Sequence, residues 1–313
     1  MTLRRAIQVL KLVAIAAILL IAIRALHQTL AGYHWSELLM DLKERGAPTL
    51  IVANMLALTG YGMMTGYDAV AFRYIEHTLP YRWIALASFT GYAINNSLGL
   101  SGVVGSALRY RFYRRWGVAG GDIARVFVFC TVTYWLGFVL LGGTVFLLWP
   151  PLAPSSLHLP FGSIRVLGML LLVPAFSYFA WVLVRRKPLR LRKIEVRLPN
   201  RTIFVAQVAI SMADWVIAGA VLHTILPTSD DVPFVTTLAI FLLAQIGGLI
   251  SNVPGGLGVF EAIALVFLRP HFSAAEIVSS LLAFRGIYFL LPLMIALFLL
   301  AGHEAAIRAP VRR

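Results

Sequence analysis

Ser251-Asn252-Val253-Pro254-Gly255-Gly256-Leu257-Gly258-Val259 interrupts an apolar run that extends from Phe234 to Leu268. About 20 apolar residues suffice for a helix to cross the hydrocarbon core, so an unbroken run of this length would read as one crossing. Proline removes a backbone N–H and glycine weakens a helix, while a freed backbone group finds no partner in lipid. The stretch must therefore pack against protein or line a polar cavity. Gly247-Gly248 reads as part of the same interruption. A second run, Trp83–Leu108, is broken in the same way by Asn95-Asn96-Ser97, Gly99, Gly102 and Gly105.

Placed side by side, the two breaks share a pattern. Asn96-Ser97-Leu98-Gly99-Leu100-Ser101-Gly102-Val103 aligns with Asn252-Val253-Pro254-Gly255-Gly256-Leu257-Gly258-Val259, the asparagine, two glycines and the valine coinciding. The offset, from 96 to 252, is half the chain. The pattern predicts halves 1–156 and 157–313 within one membrane domain, oppositely oriented. Paired interrupted segments in inverted halves point to a transporter-type site near the midplane. Helix kinking and close packing through small residues is the structural alternative.

Composition excludes most other readings. Of 313 residues, 60% are hydrophobic and 13% charged, against roughly 45–50% and about 25% in soluble domains. A soluble enzyme, a disordered chain and a disulfide scaffold are ruled out. The single cysteine, Cys130, lies in an apolar run and reads as a buried thiol. The net charge of +14 belongs to loops that hold topology and touch anionic headgroups, not to a nucleic-acid surface.

Six further segments read as full spans: Val9–Leu30, Thr49–Phe72, Ile123–Trp149, Ile164–Val184, Ile203–Leu226 and Ile277–Ala301. The first is long and lacks a small-residue cleavage pattern, which reads as an anchored helix rather than a signal peptide. Basic residues then orient the chain. If both broken runs enter and leave on one side, residues 1–11, 73–82, 109–115, 185–201 and 308–313 share the cytoplasmic face, and Lys43, Arg45, Arg165 and Arg269 lie outside. That is 20 Lys/Arg to 4, leaving aside Arg24, Arg125 and Arg285 within spans. Treating the broken runs as ordinary crossings gives 9 to 15, or 15 to 9 when inverted. The hairpin arrangement satisfies the positive-inside rule best. The expected fold is an all-α polytopic membrane protein of two inverted-topology halves, each with three spanning helices and one re-entrant helical hairpin. Its setting is the bacterial plasma (inner) membrane, with N- and C-termini cytoplasmic.

Charges inside spans cost about 2.5–3.5 kcal/mol on insertion scales and are functional candidates. Arg24 and Asp68 lie within reach of an interface, where side chains snorkel, and Arg125 sits near a helix start. Glu261 follows the Pro-Gly-Gly turn and Arg285 lies deep in the last span. Either they neutralise each other, or Arg285 offers a bidentate fork to a lipid phosphate. Asp214 is equally deep and reads as a coupling site or as a polar partner of Arg285. Helices restarting near Gly102 and Gly258 present N-termini suited to an anion. The expected substrate-binding set is Asn96, Arg109, Asn252, Pro254, Gly255, Gly256, Gly258, Glu261 and Arg285, with Asp214 as possible coupling residue. No catalytic residue, metal or cofactor is expected. Gly99-Leu100-Ser101-Gly102 fits a short intramembrane-protease pattern whose histidine partner, His223, falls near the opposite face; His303-Glu304 lacks the second histidine of a zinc motif.

The run Ser251–Glu261 resembles the signature of the lysylphosphatidylglycerol synthase transmembrane family, the flippase-like membrane region of bifunctional flippase/synthetases. So do Thr65–Ile75, Leu79–Arg82, Ala87–Phe89 and Arg109–Tyr113. The resemblance implies translocation of an anionic or aminoacylated phospholipid. The sequence ends at Arg313 without a synthase region, so aminoacyl transfer is not expected and the chain reads as a non-enzyme. Phospholipid and membrane are the expected partners, with a lipid-modifying enzyme docked on the 185–201 loop as a further one. A small-solute transporter, or a non-transporting companion of that enzyme, are the alternative functions.

Overall fold

A computed structural model describes residues 45–98, 103–152, 163–184, 198–251 and 254–308, with Met40, Lys43 and the short stretches 189–191 and 194–196. The expected span Val9–Leu30, Arg24, the breakpoint at Gly99–Gly102 with Ser101, the residue Asn252 and most of the 150–162 loop lie outside the described residues. Ten α-helices are described: α1 Gly46–Tyr74, α2 Tyr81–Leu98, α3 Val103–Arg115, α4 Gly120–Leu148, α5 Ile164–Val184, α6 Arg201–Ile225, α7 Phe234–Ile250, α8 Val259–Leu268, α9 Ala274–Arg285 and α10 Leu291–Arg308. A 3-10 turn, Pro254–Gly256, joins α7 to α8, and a π-helical segment, Gly286–Leu290, joins α9 to α10. The basic connection holds a small antiparallel ribbon, β1 Leu189–Leu191 with β2 Ile194–Val196, pairing Leu189 with Val196. This is the one departure from the all-helical expectation among the described residues.

Five stretches are long and apolar enough to cross a membrane: Gly46–Tyr74, Gly120–Leu148, Ile164–Val182, Arg201–Ile225 and Ala274–Ala305. They match the expected spans to within a few residues. Large apolar side chains such as Met55, Val173, Phe176 and Phe298 are exposed, as a lipid-facing surface requires. Sequence sets the ends of the helices. Asn200 caps α6 by accepting from the Ile203 N–H (2.9 Å). Ser273 and Glu276 form a reciprocal capping box at α9, the Ser273 N–H donating to Glu276 Oε2 at 2.8 Å.

α1 packs along α6, and α4 packs against α5 and α6. Small residues permit this. A Cβ on Gly137 of α4 would stand 2.4 Å from the Ser211 carbonyl carbon of α6, and one on Gly168 of α5 would stand 2.8 Å from the Leu147 backbone nitrogen. Helices in lipid associate through such contacts because apolar burial alone gives no preference for protein over tails. At one end Arg45 gathers three helices: it donates to the Ile225 carbonyl of α6 and, in α9, to Ser279 Oγ and Ser280 Oγ at 2.7 Å and the Glu276 carbonyl at 3.0 Å.

Both broken runs fold back on themselves. α3 lies antiparallel along α2, the Trp83 ring meeting Trp116 at a tilt (5.0 Å) at one end and the Gly105 N–H donating to Asn95 Oδ1 (2.8 Å) near the other. A Cβ on Gly105 would come within 2.0 Å of the Gly91 carbonyl oxygen. α8 returns against α7, where Gly247 meets Ile263 and Gly248 meets Gly256. Three expected interruptions are corrected here. Asn95-Asn96-Ser97, Gly105 and Gly247-Gly248 lie within helices; the glycines serve close packing, the asparagines bond the Gly105 N–H and the Tyr61 hydroxyl, and α2 and α7 end beyond them.

Candidate functional site

Three glycines with left-handed backbone shape the second break. Gly255, Gly256 and Gly258 all have positive φ (64°, 61° and 80°), a region that L side chains rarely adopt. The chain thereby reverses within a few residues and α8 starts at Val259, with Glu261 one turn in. Glu261 Oε2 accepts from the Gly258 N–H at 2.7 Å. The helix N-terminus expected to receive an anion is therefore already engaged by the protein's own carboxylate.

Arg285, at the end of α9, reaches this turn from the opposite side. Its Nε and Nη2 donate to Glu261 Oε1 (2.7 and 2.6 Å) and its Nη1 donates to the Gly255 carbonyl (2.8 Å). The pair is mostly enclosed, at 11% and 14% exposure, and Phe260 and Phe289 bracket the guanidinium at 5.8 and 5.1 Å. Of the two readings open for these residues, mutual neutralisation is what the geometry shows.

The π segment follows at once, and Pro292 explains it. Proline has no N–H for the carbonyl four residues earlier, that of Tyr288, and its ring crowds that oxygen. The backbone widens, the Leu291 N–H bonding the Gly286 carbonyl five residues back. Tyr61 of α1 donates to the freed Tyr288 carbonyl (3.0 Å), and Ser97 of α2 donates to the Phe289 carbonyl (3.0 Å). Asn96 Nδ2 donates to the Tyr61 hydroxyl at 3.4 Å. α2 also packs against both the π segment and the Pro254–Gly256 turn. The ends of the two broken elements thus converge on one place, bringing together Asn96, Gly255, Gly256, Gly258, Glu261 and Arg285. Tyr61, Ser97, Tyr288 and Phe289 join them without having been expected. The usable signal was Pro292 seven residues after Arg285, a helix-interior proline beside a buried charge.

Arg109 belongs elsewhere. It is 4% exposed and paired with Asp68, which is fully buried and so does not snorkel as expected. Tyr113 donates to the same carboxylate oxygen at 2.7 Å, Cys130 Sγ lies 3.5 Å from the guanidinium, and Tyr92 and Phe127 face it at 4.7 Å. This cluster locks α1, α3 and α4 together. Asp214 is not a partner of Arg285 either. The Tyr67 hydroxyl donates to its Oδ2 at 2.6 Å, and Trp215 beside it donates to the Tyr134 carbonyl at 3.1 Å. Arg125 pairs with Asp122 at 3.1 Å on an exposed face, and His223 bonds Thr237 at 3.0 Å. Among the described residues no group of three His, Cys, Asp or Glu side chains is placed to hold a metal.

The family model described as the lysylphosphatidylglycerol synthase TM region matches residues 8–296. An uncharacterized protein of Synechocystis sp. is 35% identical over 289 residues, 92% of this chain and 90% of its own length. The inner membrane protein YbhN of Escherichia coli is 31% identical over 276 residues, 87% of this chain and 86% of its own. A phosphatidylglycerol lysyltransferase of Bacillus subtilis is 25% identical over 303 residues, and this chain spans only 35% of that protein. Glycine-turned breaks, paired charges and the extent of these matches agree: the chain belongs to the lysylphosphatidylglycerol synthase transmembrane family.

Proposed function

We propose that the protein moves an anionic or aminoacylated phospholipid between the leaflets of the bacterial inner membrane, acting as a flippase-like domain without chemistry of its own. The observation that carries this reading is the meeting of the two broken elements around Arg285, Glu261 and the Gly255–Gly258 turn. In this reading α2–α3 and α7–α8 are re-entrant hairpins from opposite faces, the halves 1–156 and 157–313 are inverted copies within a single domain, and both termini are cytoplasmic. The headgroup enters where the hairpins touch, and the acyl tails stay in lipid.

The ion pair narrows the headgroup. A site with one guanidinium and one carboxylate carries no net charge, so a bare anion gains little by displacing Glu261. A headgroup with both a phosphate and an ammonium exchanges partners instead: phosphate onto the Arg285 fork, ammonium onto Glu261. An aminoacylated phosphatidylglycerol has that chemistry, in keeping with the likeness to phosphatidylglycerol lysyltransferases. Pro254 is assigned to the same turn, Asn252 to the headgroup's binding set, and Arg109 to holding the first hairpin on α1.

Reconstitution tests the reading. Vesicles containing the purified protein and a trace of fluorescent lysyl-phosphatidylglycerol are expected to exchange label between leaflets faster than protein-free vesicles, as read by membrane-impermeant quencher. Identical exchange with and without protein would refute it.

A further inference from the structure

Among the described residues two carboxylates are buried, Asp68 and Asp214, and a third, Glu261, is mostly enclosed; they differ in their company. Asp68 faces Arg109 and Glu261 faces Arg285. Asp214, 2% exposed in the middle of α6, has no salt bridge among the described residues. Its Oδ2 accepts from Tyr67, and its Oδ1 has no hydrogen-bond partner. An unpaired charge in so dry a place costs several kcal/mol, which a bound proton removes. A hard cation calls for several oxygen ligands, and among the described residues no group of three His, Cys, Asp or Glu side chains is placed to hold one.

We propose that Asp214 is a proton-binding site and that its loading is coupled to the headgroup site; the coupling rests on the flippase reading above. The connection is mechanical and runs through α1. Tyr67 of that helix holds Asp214, and Tyr61, six residues earlier, holds the Tyr288 carbonyl in the π segment that follows Arg285. A hydrogen bond to an ionised carboxylate is roughly twice as strong as one to a neutral group. Loss or gain of the proton therefore changes the hold of α6 on α1, and α1 is bonded to the π segment that directly follows Arg285. The groups around the carboxyl are neutral: Tyr67 and Tyr61 from α1, Tyr134 from α4 and Tyr288 from the π segment lie within its electrostatic reach. From α7 the nearest approach is Phe241, packed on Trp215 at 6.3 Å. Neither α7 nor α9 brings a titratable side chain that acts on Asp214 among the described residues.

Two readouts on the full chain separate the proton site from the transport reading. The first is an infrared difference spectrum of the protein in vesicles through a pH titration. A carboxyl C=O band that rises and falls with pH is expected in wild type, absent in Asp214→Asn and displaced in frequency in Tyr67→Phe. A wild-type spectrum without such a band, or one unchanged in Asp214→Asn, overturns the proposal. If Asp214→Asn fails to insert, the displaced band in Tyr67→Phe decides, and an undisplaced band overturns the assignment. The second readout is the leaflet ratio of fluorescent lysyl-phosphatidylglycerol under an imposed pH gradient. With one proton per lipid, one pH unit shifts that ratio by about tenfold. Exchange that ignores the proton gradient, or follows a sodium gradient instead, overturns the coupling while leaving the flippase reading intact. No exchange in wild type refutes the flippase reading and with it the coupling, and the infrared band still decides the proton site.

Discussion

Asp68 and Arg109 are 41 positions apart in sequence, yet they form the most enclosed charge pair among the described residues. Removing one partner of a buried pair strands the other, at about 3–5 kcal/mol. Arg109→Ala is therefore expected to destabilise the protein by that order, and Asp68→Ala combined with Arg109→Ala by less than the two single changes summed. Thermal or denaturant unfolding in detergent checks this, and additive single losses would contradict it. Arg285→Ala is expected to behave differently: the protein still inserts, while outer-leaflet appearance of the labelled lipid is lost. Unchanged lipid asymmetry in that variant would remove Arg285 from the site. The Arg285–Glu261 pairing was one of the two readings open in sequence, because both charges lie within apolar runs of the second half. The Asp68–Arg109 pairing was not, since Asp68 read as a side chain able to snorkel and Arg109 as a headgroup contact on the cytoplasmic side. Its enclosure comes from Tyr92, Tyr113 and Phe127, which arrive from three helices.

Glycine does two separate jobs among these elements. Gly255, Gly256 and Gly258 take up positive φ, which their clustering with Pro254 announces in advance. Gly91, Gly105, Gly247 and Gly248 instead make room for backbone or side chains of the facing segment, and nothing in the sequence distinguishes them from turn glycines; only the facing segment does. Gly105→Ala would force its methyl group onto the Gly91 carbonyl, whereas a Cβ at Gly62 meets nothing within 4 Å. Overpacking of this kind costs about 1–3 kcal/mol. A clear fall in melting temperature for Gly105→Ala, with little change for Gly62→Ala, is the expected result. The π segment is the least anticipated element. Pro292→Ala restores the missing N–H, so the Tyr288 carbonyl gains a helical partner that competes with Tyr61. Stability is expected to hold or rise while lipid exchange slows; exchange at the wild-type rate would show that the π geometry is dispensable.

Across the whole molecule, the span assignments rested on long apolar runs and so survived almost residue for residue in α1, α4, α5 and α6. The pairing of the two breaks rested on four coincident residues, and α2 meets the Pro254–Gly256 turn in the folded chain. Hydropathy says nothing of which helices touch, which is why the polar contacts of Tyr61, Tyr67 and Ser97 were out of reach. The account as a whole depends on both broken elements returning to the face from which they start. Single cysteines at His77, Gly117, Asp231 and His271, placed in a Cys130→Ala background, test this directly in intact cells with a membrane-impermeant maleimide. The account predicts labelling at 231 and 271 and protection at 77 and 117. Labelling of only one member of either pair, 77 with 117 or 231 with 271, would mean that the segment between them crosses the membrane and would contradict it.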